Sequence, residues 1–251
     1  MKAYYIFGLS LSMVFNTVLD VNAQSDGTPV LPKEIDEYTL EFERIQSLDR
    51  LERNIEVLYR KGIAAGKSLL YHADLSDLYL MERLSEEQLR AVRRALPGIS
   101  LTRDEVLTAV PDPKRFLEFA LKWGGRADIA FFSTLQISYS SPGWPMYITP
   151  QTDYGGCRRL GSFVFSELYG MWRAFQSRFP DRYKEEVRRE LAGIEENLLH
   201  TGACEGPREV AEAYREFIRS FPNAPVSSKI RLRIPEIDNG TSNLRFNLGL
   251  P

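Results

Sequence analysis

The sequence predicts a mostly α or α+β protein, a compact helical scaffold that carries an irregular aromatic loop and a C-terminal β-hairpin. Three observations lead there. Apolar side chains recur at three- and four-residue steps through most of the chain from Glu37 to Ile218. A stretch rich in Ser, Pro, Gly and Tyr interrupts them between residues 139 and 158, and period-two alternation replaces them after Ser228. The composition agrees, because 251 residues that are 43% apolar and 26% charged can enclose a core.

At the N-terminus, Lys2 precedes an apolar run holding Tyr4, Ile6, Phe7, Leu9, Leu11, Val14 and Phe15, and Val21-Asn22-Ala23 follows with the small residues of a cleavage site. Residues 1–23 therefore read as a signal peptide and the chain as exported, to a periplasmic or extracellular compartment. Asn16 and Asp20 break the apolar run well short of the ~20 residues a bilayer span needs, so no transmembrane span is expected in the mature chain. Residues 24–36, with Gly27, Pro29 and Pro32, read as a flexible N-terminal segment. Residues 37–251 read as a single helical domain with short C-terminal strands, and two lobes joined near residues 125–158 are the rival arrangement.

From Glu37 to about Lys61, Tyr38, Phe42, Ile45, Leu48, Leu51, Ile55 and Leu58 form one helical stripe. Gly62 and Gly66 interrupt it, and shorter amphipathic pieces follow over 67–84 and 85–96, the latter opened by the cap Ser85-Glu86-Glu87-Gln88 and stopped by Pro97-Gly98. Thr102-Arg103-Asp104-Glu105 repeats the capping-box spacing and predicts a helix start. Asp112-Pro113 opens another helix, which buries Phe116, Phe119 and Trp123. Residues 131–139 read as extended chain, and Ser140 to Pro145 as an irregular turn. Helical spacing returns over 160–179, 182–200 and 206–221. In the tail, Ile230, Leu232 and Ile234 alternate with Lys229, Arg231 and Arg233, which predicts a strand. Phe246, Leu248 and Leu250 supply its hairpin partner.

The charges exclude some chemistry. With 32 basic against 34 acidic side chains, the chain presents no broad cationic field and no strong nucleic-acid signal. Two histidines and two cysteines are too few for a zinc array, a four-cysteine iron–sulfur site or repeated haem attachment, so neither metal nor cofactor is expected. In an exported chain Cys157 and Cys204 are expected to pair, closing a loop around the helices at 160–200.

Catalytic patterns are sparse. His72 and His200 lie in no nucleophile-elbow or zinc-protease motif; His72 reads as a structural histidine and His200 as a residue at the negative end of a helix. Glu167 and Asp153 are the carboxylates that a hydrolase acting on a polar substrate would use, although surface and turn roles suit each. The Asn239-Gly240-Thr241 turn matches a glycosylation acceptor, and Asp238 with Asn243 supplies too few oxygens for a calcium loop.

Recognition has the stronger physical basis. Tyr139, Trp144, Tyr147 and Tyr154 offer stacking faces, while Asp153 and Arg158 can orient a polar group. The expected function is an exported binding or interaction protein that takes a polar small molecule, carbohydrate or peptide, or a protein partner. A carboxylate-dependent hydrolase and a structural component of a secreted or envelope complex are the alternatives.

Overall fold

A computed structural model of the chain describes residues 31–48, 54–71, 79–103, 107–152 and 155–248. The fold is mostly helical, with ten helices and three two-stranded antiparallel sheets among the described residues. Two compact units divide the chain, one ending at Phe132 and one beginning at Ser133. The predicted signal peptide and most of the segment after it lie outside the described residues, as do His72, Asp153, Tyr154 and Leu250. Among the described residues no helix is long and apolar enough to cross a membrane.

The first unit contains α1 (Lys33–Ser47), α2 (Ile55–Leu69), the short α3 (Leu80–Arg83) and α4 (Glu86–Ala95). These are followed by the hairpin β1 (Ile99–Arg103) and β2 (Leu107–Pro111), α5 (Pro113–Trp123) and the start of α6 (Arg126–Ser138). The stripe read from 37 to 61 as one helix is two. It breaks after α1, and Asn54 restarts it by accepting a hydrogen bond from the Val57 N–H at 3.1 Å. Helix α1 also begins at Lys33, inside the segment expected to be flexible. The core is aromatic: the Tyr59 ring meets Phe116, Phe131 and Phe132 edge-on at 5.3, 5.6 and 5.2 Å. Tyr38 is fully buried, and its hydroxyl donates to the Pro97 carbonyl.

Gly62 and Gly66, expected to interrupt a helix, lie within α2 instead. A Cβ at Gly66 would stand 2.0 Å from the Ala109 carbonyl oxygen, and one at Gly62 would stand 2.8 Å from Ile99 Cδ1. Both glycines are there because α2 presses against the hairpin, with the closest approach at β2. Thr102 opens no helix. It pairs with Thr108 across β1 and β2, their hydroxyl oxygens 2.6 Å apart. Capping does start α4, where Ser85 and Gln88 exchange hydrogen bonds, and α5, where Asp112 accepts from the Lys114 N–H at 2.9 Å.

The second unit holds the end of α6, then β3 (Tyr139–Ser141), β4 (Trp144–Pro145), β5 (Ile148–Thr152), β6 (Gly155–Arg158), α7 (Val164–Arg178), α8 (Lys184–Leu198), α9 (Pro207–Ser220) and α10 (Ser227–Asp238). Trp172 is completely buried, and its indole N–H donates to Ser138 Oγ at 3.1 Å. Tyr214 is buried too, and donates to the Leu198 carbonyl at 2.6 Å.

Two strand expectations are corrected here. Residues 131–138 belong to α6, because Ala127, Phe131, Phe132 and Leu135 recur at helical spacing and are all buried. The C-terminal hairpin is absent from the described residues. Residues 227–238 form α10, and Arg245 makes only an isolated bridge to Gly202. Alternation over 229–234 concealed a helical stripe whose buried members, Val226, Ile230 and Ile237, extend beyond that window, while Leu232 is 71% exposed.

The close approach at Gly66 sets the sign of one substitution. Gly66→Ala gains roughly 1 kcal/mol of helix propensity but forces α2 off β2, so a net loss of about 2 kcal/mol or more is expected. The urea midpoint of the variant against the wild type measures it.

Candidate functional site

The aromatic loop converges on one face of α8. Gly143, at φ +83, lets the chain reverse between β3 and β4. The Met146 N–H bonds the Ser138 carbonyl at 2.8 Å, and Ser140 Oγ donates to the Trp144 carbonyl at 3.2 Å. This holds Trp144 at the end of the hairpin, partly exposed, beside the exposed Ser140 and Ser141. From the base of the same hairpin, the Tyr139 hydroxyl donates to Glu190 Oε1 on α8 at 2.9 Å.

One step along, Tyr147 is only 7% exposed and stacks on Phe165 with ring centroids 4.8 Å apart. A Cβ on Gly193 would lie 3.6 Å from the Tyr147 hydroxyl oxygen, so the phenol reaches α8 one turn after Glu190. Tyr147 therefore anchors the loop. Arg158, half-buried at the end of β6, donates through Nε to Asn197 Oδ1 at 2.8 Å and through a terminal nitrogen to the Gly156 carbonyl at 2.6 Å. Asn197 is itself held by donating to the Gly193 carbonyl at 2.8 Å.

Beside Arg158, the expected Cys157–Cys204 disulfide is present, with S–S 2.01 Å and Cys157 almost completely buried. Backbone pairing reinforces it. Arg158 N–H bonds the Gly202 carbonyl at 2.9 Å, and Cys204 N–H bonds the Arg158 carbonyl at 2.8 Å.

Electrostatically the two ends of this face differ. Burial pushes the Glu190 carboxyl up to about 7, against the pull of the Tyr139 hydrogen bond and the Arg189 charge. Burial also raises the Tyr147 phenol, helped by the Glu190 charge, and lowers Arg158, which stays cationic at neutral pH. At the other end, His200 Nδ1 accepts the Gly202 N–H at 3.0 Å. Burial and then the charges of Arg158, Arg245 and Arg233 hold its imidazole below the usual value. His200 is thus not the cation that neutralises the end of α8. Arg233 fills that role by donating to the Leu199 carbonyl at 2.7 Å and the His200 carbonyl at 3.4 Å.

Of the sequence-predicted residues, Tyr139, Trp144, Tyr147 and Arg158 share one hairpin-rich segment, and three of them touch or closely approach α8. Glu167 is exposed in the first turn of α7. Asp238 pairs with Arg215 at 2.6 Å, which occupies the carboxylate considered for calcium. Among the described residues no group of three His, Cys, Asp or Glu side chains is placed to hold a metal ion. A cavity of about 250 Å³ at the corner between α9 and α10, lined by Tyr169, Arg173, Phe221 and Pro225, includes none of the loop residues.

Sequence reasoning missed Glu190 and Asn197. The available signal was Gly193, a glycine amid a charge-rich helix, which marks where another side chain must approach. No protein-family model, curated protein or solved structure matches this chain.

The state of Glu190 makes stability depend on pH. Its ordinary value is 4.5, so as pH rises from there toward 7 the unfolded chain releases the proton first, and above 7 the folded chain must hold a charge it solvates poorly. This contribution is fully present at low pH and lost as pH rises through 7. Glu190→Gln keeps an acceptor for Tyr139 without the charge. Its stability relative to wild type should increase between pH 5 and pH 8 by on the order of 2 kcal/mol, read by urea unfolding at both values.

Proposed function

We propose that this chain is an exported binding or interaction protein whose contact surface is the hairpin-rich segment 139–158, taking a polar small molecule, carbohydrate or peptide. One observation carries the reading: the segment is braced from behind while its tip stays accessible. Tyr139 is tied to Glu190, Arg158 to Asn197 and Cys157 to Cys204, whereas Trp144 remains partly exposed among serines. Bracing of this kind lowers the ordering cost of recognition, and an indole beside hydroxyls suits a ligand with both apolar and polar faces. The disulfide and the N-terminal charge and apolar pattern support export to an oxidising compartment.

A second reading has its own observation. A carboxyl that titrates near neutrality beside a phenol suits proton transfer, so a hydrolase on this scaffold would use Glu190 in place of Glu167 or Asp153.

Glycan and peptide arrays probed with the folded protein separate the two. Trp144→Ala should leave the urea midpoint nearly unchanged and weaken a captured ligand by about tenfold or more, as expected for loss of a central aromatic contact. Unchanged affinity would remove the hairpin from recognition. Hydrolysis of the captured ligand that Glu190→Gln abolishes, with folding retained, selects the hydrolase reading. Export has a separate check: the intact mass of secreted protein should correspond to a chain beginning at Gln24, and retention of residues 1–23 counts against it.

A further inference from the structure

The link between α9 and α10 reads Phe-Pro-Asn-Ala-Pro-Val over residues 221–226, so Asn223 is its one polar side chain, and both prolines are exposed. This link forms one wall of the cavity of about 250 Å³, and α7 forms the facing wall with Tyr169 and, one turn on, Arg173. The lining is mostly rings. Tyr169 is almost fully buried, its hydroxyl donates to Glu195 Oε1 at 2.8 Å, and its ring meets Phe221 edge-on at 4.9 Å. Phe221 also tilts against Phe217 at 5.3 Å, yet is only half-buried, which leaves part of its ring to the cavity.

The link is held in place by its own bonds. The Phe221 carbonyl accepts from the Ala224 N–H at 3.1 Å and from Ser227 Oγ at 2.7 Å, and the Pro222 carbonyl accepts from Arg231 at 2.9 Å. Proline rings at 222 and 225 restrict the backbone further. A ligand entering the cavity therefore orders little that is not already ordered.

Most charges around the lining are engaged. Glu216 accepts from Ser220 Oγ at 3.0 Å and pairs with Arg219 at 2.8 Å, Glu195 takes the Tyr169 phenol, and Arg231 is turned onto the Pro222 carbonyl. Arg173 differs. It is exposed, forms no ion pair among the described residues, and reaches Gln176 Oε1 at 2.8 Å through Nη1 alone. The Nε and Nη2 edge of its guanidinium has no partner among the described residues, and such an edge matches the two oxygens of one carboxylate. With Glu195 set against Arg173 and Arg231, and Glu216 against Arg219, the surroundings carry an excess of about one positive charge.

We propose that this cavity binds a small aromatic monocarboxylate, its ring against Phe221 and Tyr169 and its carboxylate on the Nε and Nη2 edge of Arg173. Size sets the first limit, because the cavity falls below the roughly 300–1,000 Å³ of pockets that take drug-sized ligands. Ring contacts and a single guanidinium edge set the rest, favouring one aromatic group and one planar anion. The site is independent of the hairpin-rich segment 139–158, none of whose residues line it.

Phenylacetate, phenylacetamide and acetate are titrated separately into the folded protein and followed by the backbone amide resonances of Asn223 and Ala224 and the Arg173 Nε–H resonance. Phenylacetate should shift all three saturably. Phenylacetamide, without the charge, and acetate, without the ring, should each bind about tenfold or more weakly. Arg173→Gln should weaken phenylacetate by about tenfold or more, with the affinity for phenylacetamide and the urea midpoint unchanged, as suits an exposed side chain. Trp144→Ala should bind phenylacetate as the wild type does, so this site and the hairpin reading fail separately. Equal affinity of the wild type for acid and amide overturns the carboxylate assignment, whatever the variant does, and acetate binding as tightly as phenylacetate overturns the ring. Shifts that do not saturate, undiminished binding in Arg173→Gln, or binding lost in Trp144→Ala overturn the site.

Discussion

The Cys157–Cys204 bond ties the end of β6 to the turn after α8, and the features of interest in residues 133–251 are organised around that tie. It closes a 48-residue loop containing α7 and α8, a constraint that removes on the order of 4 kcal/mol of unfolded-state entropy. That is a large fraction of the 5–15 kcal/mol by which a domain is normally stable. Its geometric effect matters as much. With β6 bonded to residues 202–204, Arg158 reaches Asn197, and the hairpin before it lies where Tyr147 and Tyr139 meet the same face of α8 one and two turns earlier.

Helix α8 presents two opposite solutions to placing an ionisable group in a poorly solvated position. Glu190 accepts a hydrogen bond from the Tyr139 phenol, and burial favours its protonated form near neutrality. Beyond the C-terminal end of the helix, burial and then the charges of Arg158, Arg245 and Arg233 favour the neutral form of the His200 imidazole. Both groups therefore lose charge in the fold, the acid by gaining a proton and the base by releasing one.

Much of the architecture was legible locally. Ser85-x-x-Gln88 and Asp112-Pro113 start helices where their capping chemistry dictates, and Pro207 sits at the first turn of α9. The misreadings share a cause. In α10 Ile230, Leu232 and Ile234 alternate over 229–234 as in a strand, and only the buried Val226 and Ile237 outside that window reveal the helix. In α6 the β-branched and aromatic residues imitate a strand, although Phe131, Phe132 and Leu135 share a buried face. Gly62 and Gly66 resemble helix breaks because what requires them, the backbone of a hairpin more than thirty residues later, is invisible to any local pattern. Within the candidate site, Tyr139, Trp144 and Arg158 stood out by composition. Glu190 did not, since it is one of five glutamates in α8 and nothing about its neighbours distinguishes the one a tyrosine reaches.

The sequence by itself determined the helical character of the chain, the positions of most turns, the pairing of its only two cysteines and the aromatic, turn-rich segment 139–158 in which the first of them lies. These follow from interactions spanning a few residues, or from a count that leaves a single partner. Tertiary structure decided that Tyr147 is an anchor while Trp144 stays accessible, that Tyr139 meets Glu190, and that Arg233 neutralises the end of α8 where His200 was expected to. Each of those outcomes depends on which side chains meet after long loops close. That meeting is set by the summed packing of whole elements and the buried disulfide, and no local periodicity encodes it.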